Sequence, residues 1–561
     1  MFGEDYADLI IYYFENPKLL EKYKNSVIQY INEAFAVVHI PVSQINPKTV
    51  TTFGYSAMPS VYGLTSEASL EASGINEVRK IPTLNLRGEG IVIGVIDTGI
   101  DYTNPVFTKA DGTSKVISIW DQTIETGHFP YQTNFGTEYI SDQINQAIAS
   151  SHPLEVVPSI DENGHGTMMA GIAVGNENKQ AEFAGVAPDS ELIIVKLRQA
   201  KQYLRSFFLI PQKATCFQEN HIMWGVQYCV RKAQDLKKPL VICLGLGSSQ
   251  GPHDGHSPLS IFLSLVGDVP RNAVVVPAGN EGNKGRHYFS NILPSIGYNS
   301  VELTVGEQDK EFSMEIWGNS PGIYSIDILS PGGEYIPRIA PSLKVNREIS
   351  FIFEETTINV DYLMSESETG DQLILLRFHK ISAGSWKFNV YGQSDLPLGF
   401  HIWLPMGDFI STGTYFIKPD IYTTLLSPGT SFLPITMTAY NPINNILYAS
   451  ASRGFTRTNV IKPSLAAPGV NYVAPNNKKE FVPYSGTSVA AAHTAGIAAM
   501  FMEWGVTKGN QANMDTLEIK NYLIAGAIRI PNTTYPNRDW GFGIVNIYNV
   551  FNAFRTDSGI P

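Results

Sequence analysis

Apolar positions along this chain fall into two textures. In the first, nearly unbroken apolar runs recur: Ile91-Val92-Ile93-Gly94-Val95-Ile96, Leu192-Ile193-Ile194-Val195-Lys196-Leu197, Leu240-Val241-Ile242-Cys243-Leu244 and Val274-Val275-Val276. Such runs are what strands buried on both faces of a parallel sheet look like. Helical texture lies between them, as over residues 221–236. The alternation predicts an α/β fold, a parallel sheet with helices on both faces. In the second texture, over residues 305–424, the period drops to two. Phe312-Ser313-Met314-Glu315-Ile316-Trp317, Tyr324-Ser325-Ile326-Asp327-Ile328 and Trp386-Lys387-Phe388-Asn389-Val390-Tyr391 read as strands, parted by turns such as Ser330-Pro331-Gly332-Gly333. Several short strands of this kind predict an all-β sandwich of jelly-roll type. The first texture returns with Leu433-Pro434-Ile435-Thr436-Met437, so the β domain is an insertion. Its two ends must lie close together for the host sheet to close.

The residues before about Gly63 carry an amphipathic stretch (19–34) and the strand-like run Ala36-Val37-Val38-His39-Ile40-Pro41-Val42. That is too little for an independent core. The whole chain has 561 residues, 43% of them hydrophobic and 16% charged, enough for a large core. Its net charge of −12 argues against nucleic acid as a main partner. No apolar run is long and clean enough to span a membrane. The 3 cysteines, Cys216, Cys229 and Cys243, are no disulfide framework and read as reduced and buried. The acidic start, Met1-Phe2-Gly3-Glu4-Asp5, lacks the basic and apolar regions of a secretory leader, so synthesis and retention in the cytoplasm are expected.

Three segments carry chemistry. Asp97 ends the first buried run, in Val95-Ile96-Asp97-Thr98-Gly99, and open α/β sheets place their sites at carboxyl strand ends. His165 lies in Asn163-Gly164-His165-Gly166-Thr167, before a small apolar stretch that reads as a buried helix start. Ser488, in Ser485-Gly486-Thr487-Ser488-Val489-Ala490, opens a run of small residues that lets a helix pass through a crowded core. A helix N-terminus there offers free N–H groups and positive dipole to a developing oxyanion. A serine hydroxyl is a poor nucleophile until a base takes its proton, and that base needs a carboxylate to fix its tautomer. Each segment alone is an ordinary turn or cap; their joint occurrence is not.

In the chain order Asp, His, Ser these segments resemble the subtilisin-like serine protease family. The resemblance implies Ser488 as nucleophile, His165 as base and then acid, and Asp97 as the carboxylate behind it. It also implies that Asn280, in Pro277-Ala278-Gly279-Asn280-Glu281-Gly282, donates to the oxyanion beside the Ser488 N–H. Glu281 reads as a carboxylate that orients this loop. No cofactor is needed for this chemistry and no metal is expected. Structural calcium occurs in many relatives, but no ligand loop stands out here. His253-Asp254-Gly255-His256 lacks a third ligand and reads as a structural or substrate-rim loop. Met168 and Ala492 depart from the family pattern without touching the triad. Gly245, with Leu246 and Gly247, stands on the strand expected to capture an extended peptide through its backbone, where a serine is usual. Leu426 stands for a glycine in the specificity-pocket wall, which predicts a shallow pocket favouring small or slender side chains.

Over essentially the whole chain the closer resemblance is to the Csp germination proteases of spore-forming clostridia. It is carried by the missing leader, the inserted β domain, Ile119-Trp120-Asp121-Gln122-Thr123-Ile124, Gly251-Pro252-His253-Asp254-Gly255 and Arg286-His287-Tyr288. That resemblance implies an α+β propeptide over residues 1–63, cut by the enzyme itself within residues 62–66. The catalytic domain would then cover 64–304 and 425–561 around an insertion at 305–424. It further implies packaging in the spore, and a protein substrate that is the precursor of a cortex-degrading hydrolase. Two other roles stay open: a propeptide-inhibited or non-cutting signalling scaffold, and a general intracellular protease. The intact triad speaks against the first and the large insertion against the second.

Overall fold

A computed structural model describes residues 3–65, 85–131, 133–393 and 398–557. At its centre is a sheet of 9 strands. Val92–Asp97 lies in the middle, hydrogen-bonded in parallel register to Glu191–Lys196 on one side and Leu240–Leu244 on the other. Asn272–Pro277 and then Ile435–Asn441 continue the parallel array beyond Leu240–Leu244. Val116–Asp121 continues it on the other side, and the antiparallel Thr137–Ile140 closes that edge.

Why the runs are unbroken is visible in where alternate residues go. Ile93 and Val95 face the helices His165–Val174 and Thr487–Met502, whereas Val92 and Ile96 face the helices Glu219–Asp235 and Pro258–Gly267. Side chains alternate across a strand, so two covered faces demand apolar residues at every position. The helices His165–Val174 and Thr487–Met502 are themselves buried along their whole length, which is why no polar stripe marks them.

The insertion is a two-layer antiparallel sandwich of 6 and 5 strands around Trp386, Phe388 and Phe400. It starts at the strand His287–Ile292 and its last strand is Tyr415–Phe416, so the expected limits of 305 and 424 lie too far along the chain at both ends. The first strands carry mixed burial, which hid their period. The ends do meet: the Phe416 N–H donates to the Gly285 carbonyl and the Asp420 N–H to the His287 carbonyl, both at 2.9 Å.

The N-terminal residues form a three-stranded antiparallel sheet in which Phe35–Pro41 runs between Tyr6–Tyr12 and Val27–Tyr30. The amphipathic stretch over 19–34 becomes part of the 3-10 turn Pro17–Tyr23 and the strand Val27–Tyr30. One face of this module, with Ile10, Phe35 and Val37, shares a core with Trp224 and Phe262. The other, with Leu9, Val38 and Ile40, shares one with Tyr203, Leu204 and Phe207. It owns no core of its own and folds against the large domain. All three cysteines are free and buried. Among the described residues no helix is long and apolar enough to cross a membrane.

Candidate active site

Asp97 is the last residue of the central strand, and its Oδ1 receives the His165 Nδ1 at 2.7 Å with both side chains buried. The Thr98 N–H donates to the same oxygen at 2.8 Å. His165 opens its helix directly after Gly164, whose φ of 90° is a left-handed conformation that glycine adopts freely. A Cβ on Gly166 would overlap the Gly99 carbonyl, so the histidine helix can approach the aspartate loop only through a glycine. With Nδ1 donating to Asp97, Nε2 is left as the acceptor, the tautomer a general base requires. Both His165 Nε2 and Ser488 Oγ are buried, and among the described residues neither has a hydrogen-bond partner.

Ser488 lies in the first turn of the helix Thr487–Met502, and its backbone N–H is occupied: it donates to the Thr65 carbonyl at 2.9 Å. Asn280 sits across from it. Thr487 donates to Asn280 Oδ1 through its N–H and its hydroxyl, both at 3.2 Å, which leaves the amide nitrogen as the donor end. The loop is fixed from behind by Glu281, which pairs with Arg286 at 3.1 Å and accepts the Gly407 N–H at 3.0 Å. Burial pushes the Glu281 carboxyl up, opposed by the Arg286 charge.

The chain itself runs through this cleft. Val61–Leu64 is the middle strand of a three-stranded sheet, antiparallel to Leu246–Gly247 on one side and Phe217–Gln218 on the other. Leu64 pairs with Leu246 and Gly63 with Gly247. One residue on, Thr65 donates both its N–H and its hydroxyl to the Gly245 carbonyl, at 3.2 and 2.8 Å. Gly245, Leu246 and Gly247 thus hold an extended peptide by backbone bonds, and Thr65 is the residue whose carbonyl lies at the serine. The absence of a side chain on Gly245 has a local cause: a Cβ there would come 2.6 Å from His165 Cε1 and 2.9 Å from Asp97 Oδ2. Leu426 is wedged between Gly247 and Gly279, where an added Cβ would meet it at 2.8 and 2.5 Å. Thr65 Cγ2 reaches the same point over Gly247, at 3.4 Å. Ser66, the last residue of the expected cleavage window, lies outside the described residues.

Several functional residues escaped the sequence. Glu219 accepts the Ser60 N–H at 3.0 Å, the Leu259 N–H at 2.9 Å and the Tyr62 hydroxyl at 3.3 Å. Burial raises its carboxyl, opposed by the hydrogen bonds from Ser60 and Leu259. Gln250 Oε1 accepts the Val61 N–H at 2.8 Å. Asp8 of the N-terminal sheet receives His39 at 2.8 Å, Lys201 at 2.9 Å, Gln218 at 2.7 Å and Asn220 at 3.1 Å, all buried. Burial alone would raise the Asp8 carboxyl, but the His39 hydrogen bond and the Lys201 charge hold it far below the carboxylate range. The one available signal was the acidic residue Glu219 at the opening of its helix. In the tempting His253-Asp254-Gly255-His256 loop, the His253 ring nitrogens face the Leu425 and Ser249 carbonyls and Asp254 pairs with Arg457. Among the described residues no group of three or more His, Cys, Asp or Glu is placed to hold a metal ion.

This geometry can be set beside known proteins. A model of the subtilase family matches residues 88–543. The solved structure of the Clostridium perfringens CspB protease superimposes with a TM-score of 0.77 at 30% identity, over 86% of this chain and 97% of that one. The major intracellular serine protease of Bacillus subtilis is 25% identical over 292 residues, 51% of this chain and 72% of that protein. The subtilisin-like protease SBT3.6 of Arabidopsis thaliana is 23% identical over 446 residues, 74% of this chain but only 55% of that longer protein.

Proposed function

The chain belongs to the subtilase family, and from that premise we propose that it is a serine endopeptidase that cuts its own Thr65–Ser66 bond and then other proteins. The observation that carries the reading is the Thr65 carbonyl held by the Ser488 N–H, beside a histidine already oriented by Asp97. Ser488 Oγ attacks that carbonyl while His165 Nε2 takes its proton. Asn280 and the Ser488 N–H hold the charge that builds on the oxygen. The C–N bond breaks, the proton passes from His165 to the leaving amine of Ser66, and water repeats the sequence on the Thr65 ester. Residues up to Thr65 act as a propeptide in this reading, a folding template first and a plug of the cleft afterwards. No cofactor enters any step.

Leu426 sets what fits beside Thr65. In an otherwise unchanged chain, Thr65→Phe is expected to slow self-cleavage at least about 10-fold, because a large ring has no room against Leu426. Leu426→Ala in the same chain restores it. Processing followed on a denaturing gel checks both, and rapid cutting of the Thr65→Phe chain would show that Leu426 does not limit the pocket.

The substrate reading draws on the likeness to the CspB protease and on the segments around Trp120, His253 and His287, which resemble the Csp germination proteases. We place the protein in the dormant spore, where it activates the precursor of a cortex-degrading hydrolase by a single cut during germination. The test is to incubate the purified chain with such a precursor and watch for one discrete cleavage together with gain of cortex-degrading activity. Cleavage at many sites would favour general turnover instead. A second role, as an inhibited scaffold, is favoured by one observation: the cleft is filled by the chain's own residues 61–65.

A further inference from the structure

The segment in the cleft is held by more than its backbone. Tyr62, four residues before the scissile bond when Thr65 is counted as the first, is fully buried, its ring in the same core as Phe217, Leu244 and Leu246. At the end of that pocket its hydroxyl donates to Glu219 Oε1 at 3.3 Å and lies 3.2 Å from Ser427 Oγ. Neither group is free to retreat. Glu219 is fixed by the Leu259 N–H at 2.9 Å, in the first turn of the helix Pro258–Gly267. Ser427 Oγ is fixed by Ser257 Oγ at 2.8 Å and Ser260 Oγ at 3.2 Å. The pocket therefore ends in a built polar floor under an apolar barrel.

The next residue is confined from the other side. A Cβ on Gly63 would lie 3.3 Å from both Met406 Cε and Phe409 Cζ. Those residues belong to the segment around the 3-10 turn Gly407–Phe409, which links the sandwich strands Leu398–Trp403 and Tyr415–Phe416. The insertion thus roofs the peptide strand, and Val61, Tyr62 and Gly63 are all buried. Leu64 remains half-buried and less constrained.

We propose that this cleft recognises an extended Tyr-Gly-Xaa-Thr segment, in its own chain and in the proteins it cuts, with Glu219 reading the tyrosine hydroxyl and Met406 with Phe409 favouring glycine over larger residues. This rests on the protease reading above and narrows its substrate class. The asymmetry is physical. A pocket built to bind a hydroxyl rejects the analogue without it, because its buried polar groups then lose a partner. A site that merely packs an aromatic ring would accept phenylalanine equally well.

The test follows precursor conversion in a pulse-labelled cell-free translation of the full chain. Tyr62→Phe is expected to lengthen the precursor half-life roughly 10-fold against wild type. On a Glu219→Gln chain the same substitution should cost less than about 3-fold, since the group that reads the hydroxyl is already altered. Independently of Glu219, Gly63→Val should slow conversion, and Phe409→Ala should relieve that block. Conversion of Tyr62→Phe at the wild-type rate overturns the proposal and leaves the protease reading standing. An equal penalty in both backgrounds removes Glu219 as the reader and also overturns it. A wild-type precursor that never converts, like Ser488→Ala, overturns both readings together.

Discussion

Asp97→Asn is expected to leave the chain folded and nearly inert, with self-cleavage slowed by roughly 10⁴-fold. The reason lies in one hydrogen bond. Asp97 Oδ1 receives the His165 Nδ1 proton at 2.7 Å, which leaves Nε2 bare to accept the proton of Ser488. An amide in that place offers a donor as well as an acceptor. Turned toward Nδ1, it moves the imidazole proton to Nε2, the atom that must be empty. The fold should not notice, because the Thr98 N–H can still donate to an amide oxygen. The precursor half-life and the melting temperature together check this. An unchanged half-life would remove Asp97 from the chemistry, and a large fall in melting temperature would show a structural role instead.

Asp8→Ala is expected to undock the N-terminal module. Asp8 bridges His39 of its own sheet to Lys201, Gln218 and Asn220 of the large domain, entirely out of solvent. Removing one member of a buried charge network costs about 3–5 kcal/mol, since the opposite charge stays buried. That is about two to three and a half orders of magnitude in the docking equilibrium at about 1.4 kcal/mol per decade. The module has no separate core to fall back on. In a Ser488→Ala chain, which keeps the module covalently attached, limited trypsin digestion should then cut rapidly at Lys18, Lys22 and Lys24 where the parent resists. Equal resistance of the two chains would contradict the account. The sign with pH follows from the depressed carboxyl: Asp8 supports docking throughout the range above about pH 4. Its contribution fades only as acid protonates it, between that value and the much lower one it has when docked.

How much of this was legible in the chain depended on whether a residue's role left a local mark. Val92–Asp97 and Leu240–Leu244 announce themselves because both of their faces are covered, so no position except the terminal Asp97 is polar. The segments around Asp97, His165 and Ser488 are legible because close approach requires glycines, such as Gly164 and Gly166 beside His165. The start of the inserted sandwich was lost because His287–Ile292 alternates poorly between core and solvent. Of the sheet around residues 61–65, Gly245, Leu246 and Gly247 were in view, but the far strand Phe217–Gln218 is two residues long and carries no period. Asp8 reads as one more acid in an acidic start, and its Lys201 partner is 193 positions away.

The central claim is that Ser488, His165 and Asp97 act on the peptide bond after Thr65. The most direct measurement is the intact mass of wild type and Ser488→Ala, expressed side by side and denatured before analysis. The account predicts that the wild type appears as two pieces, residues 1–65 and the remainder starting at Ser66, while Ser488→Ala stays one full-length chain. A folded wild type of full-length mass, or the same cut in both proteins, would contradict it.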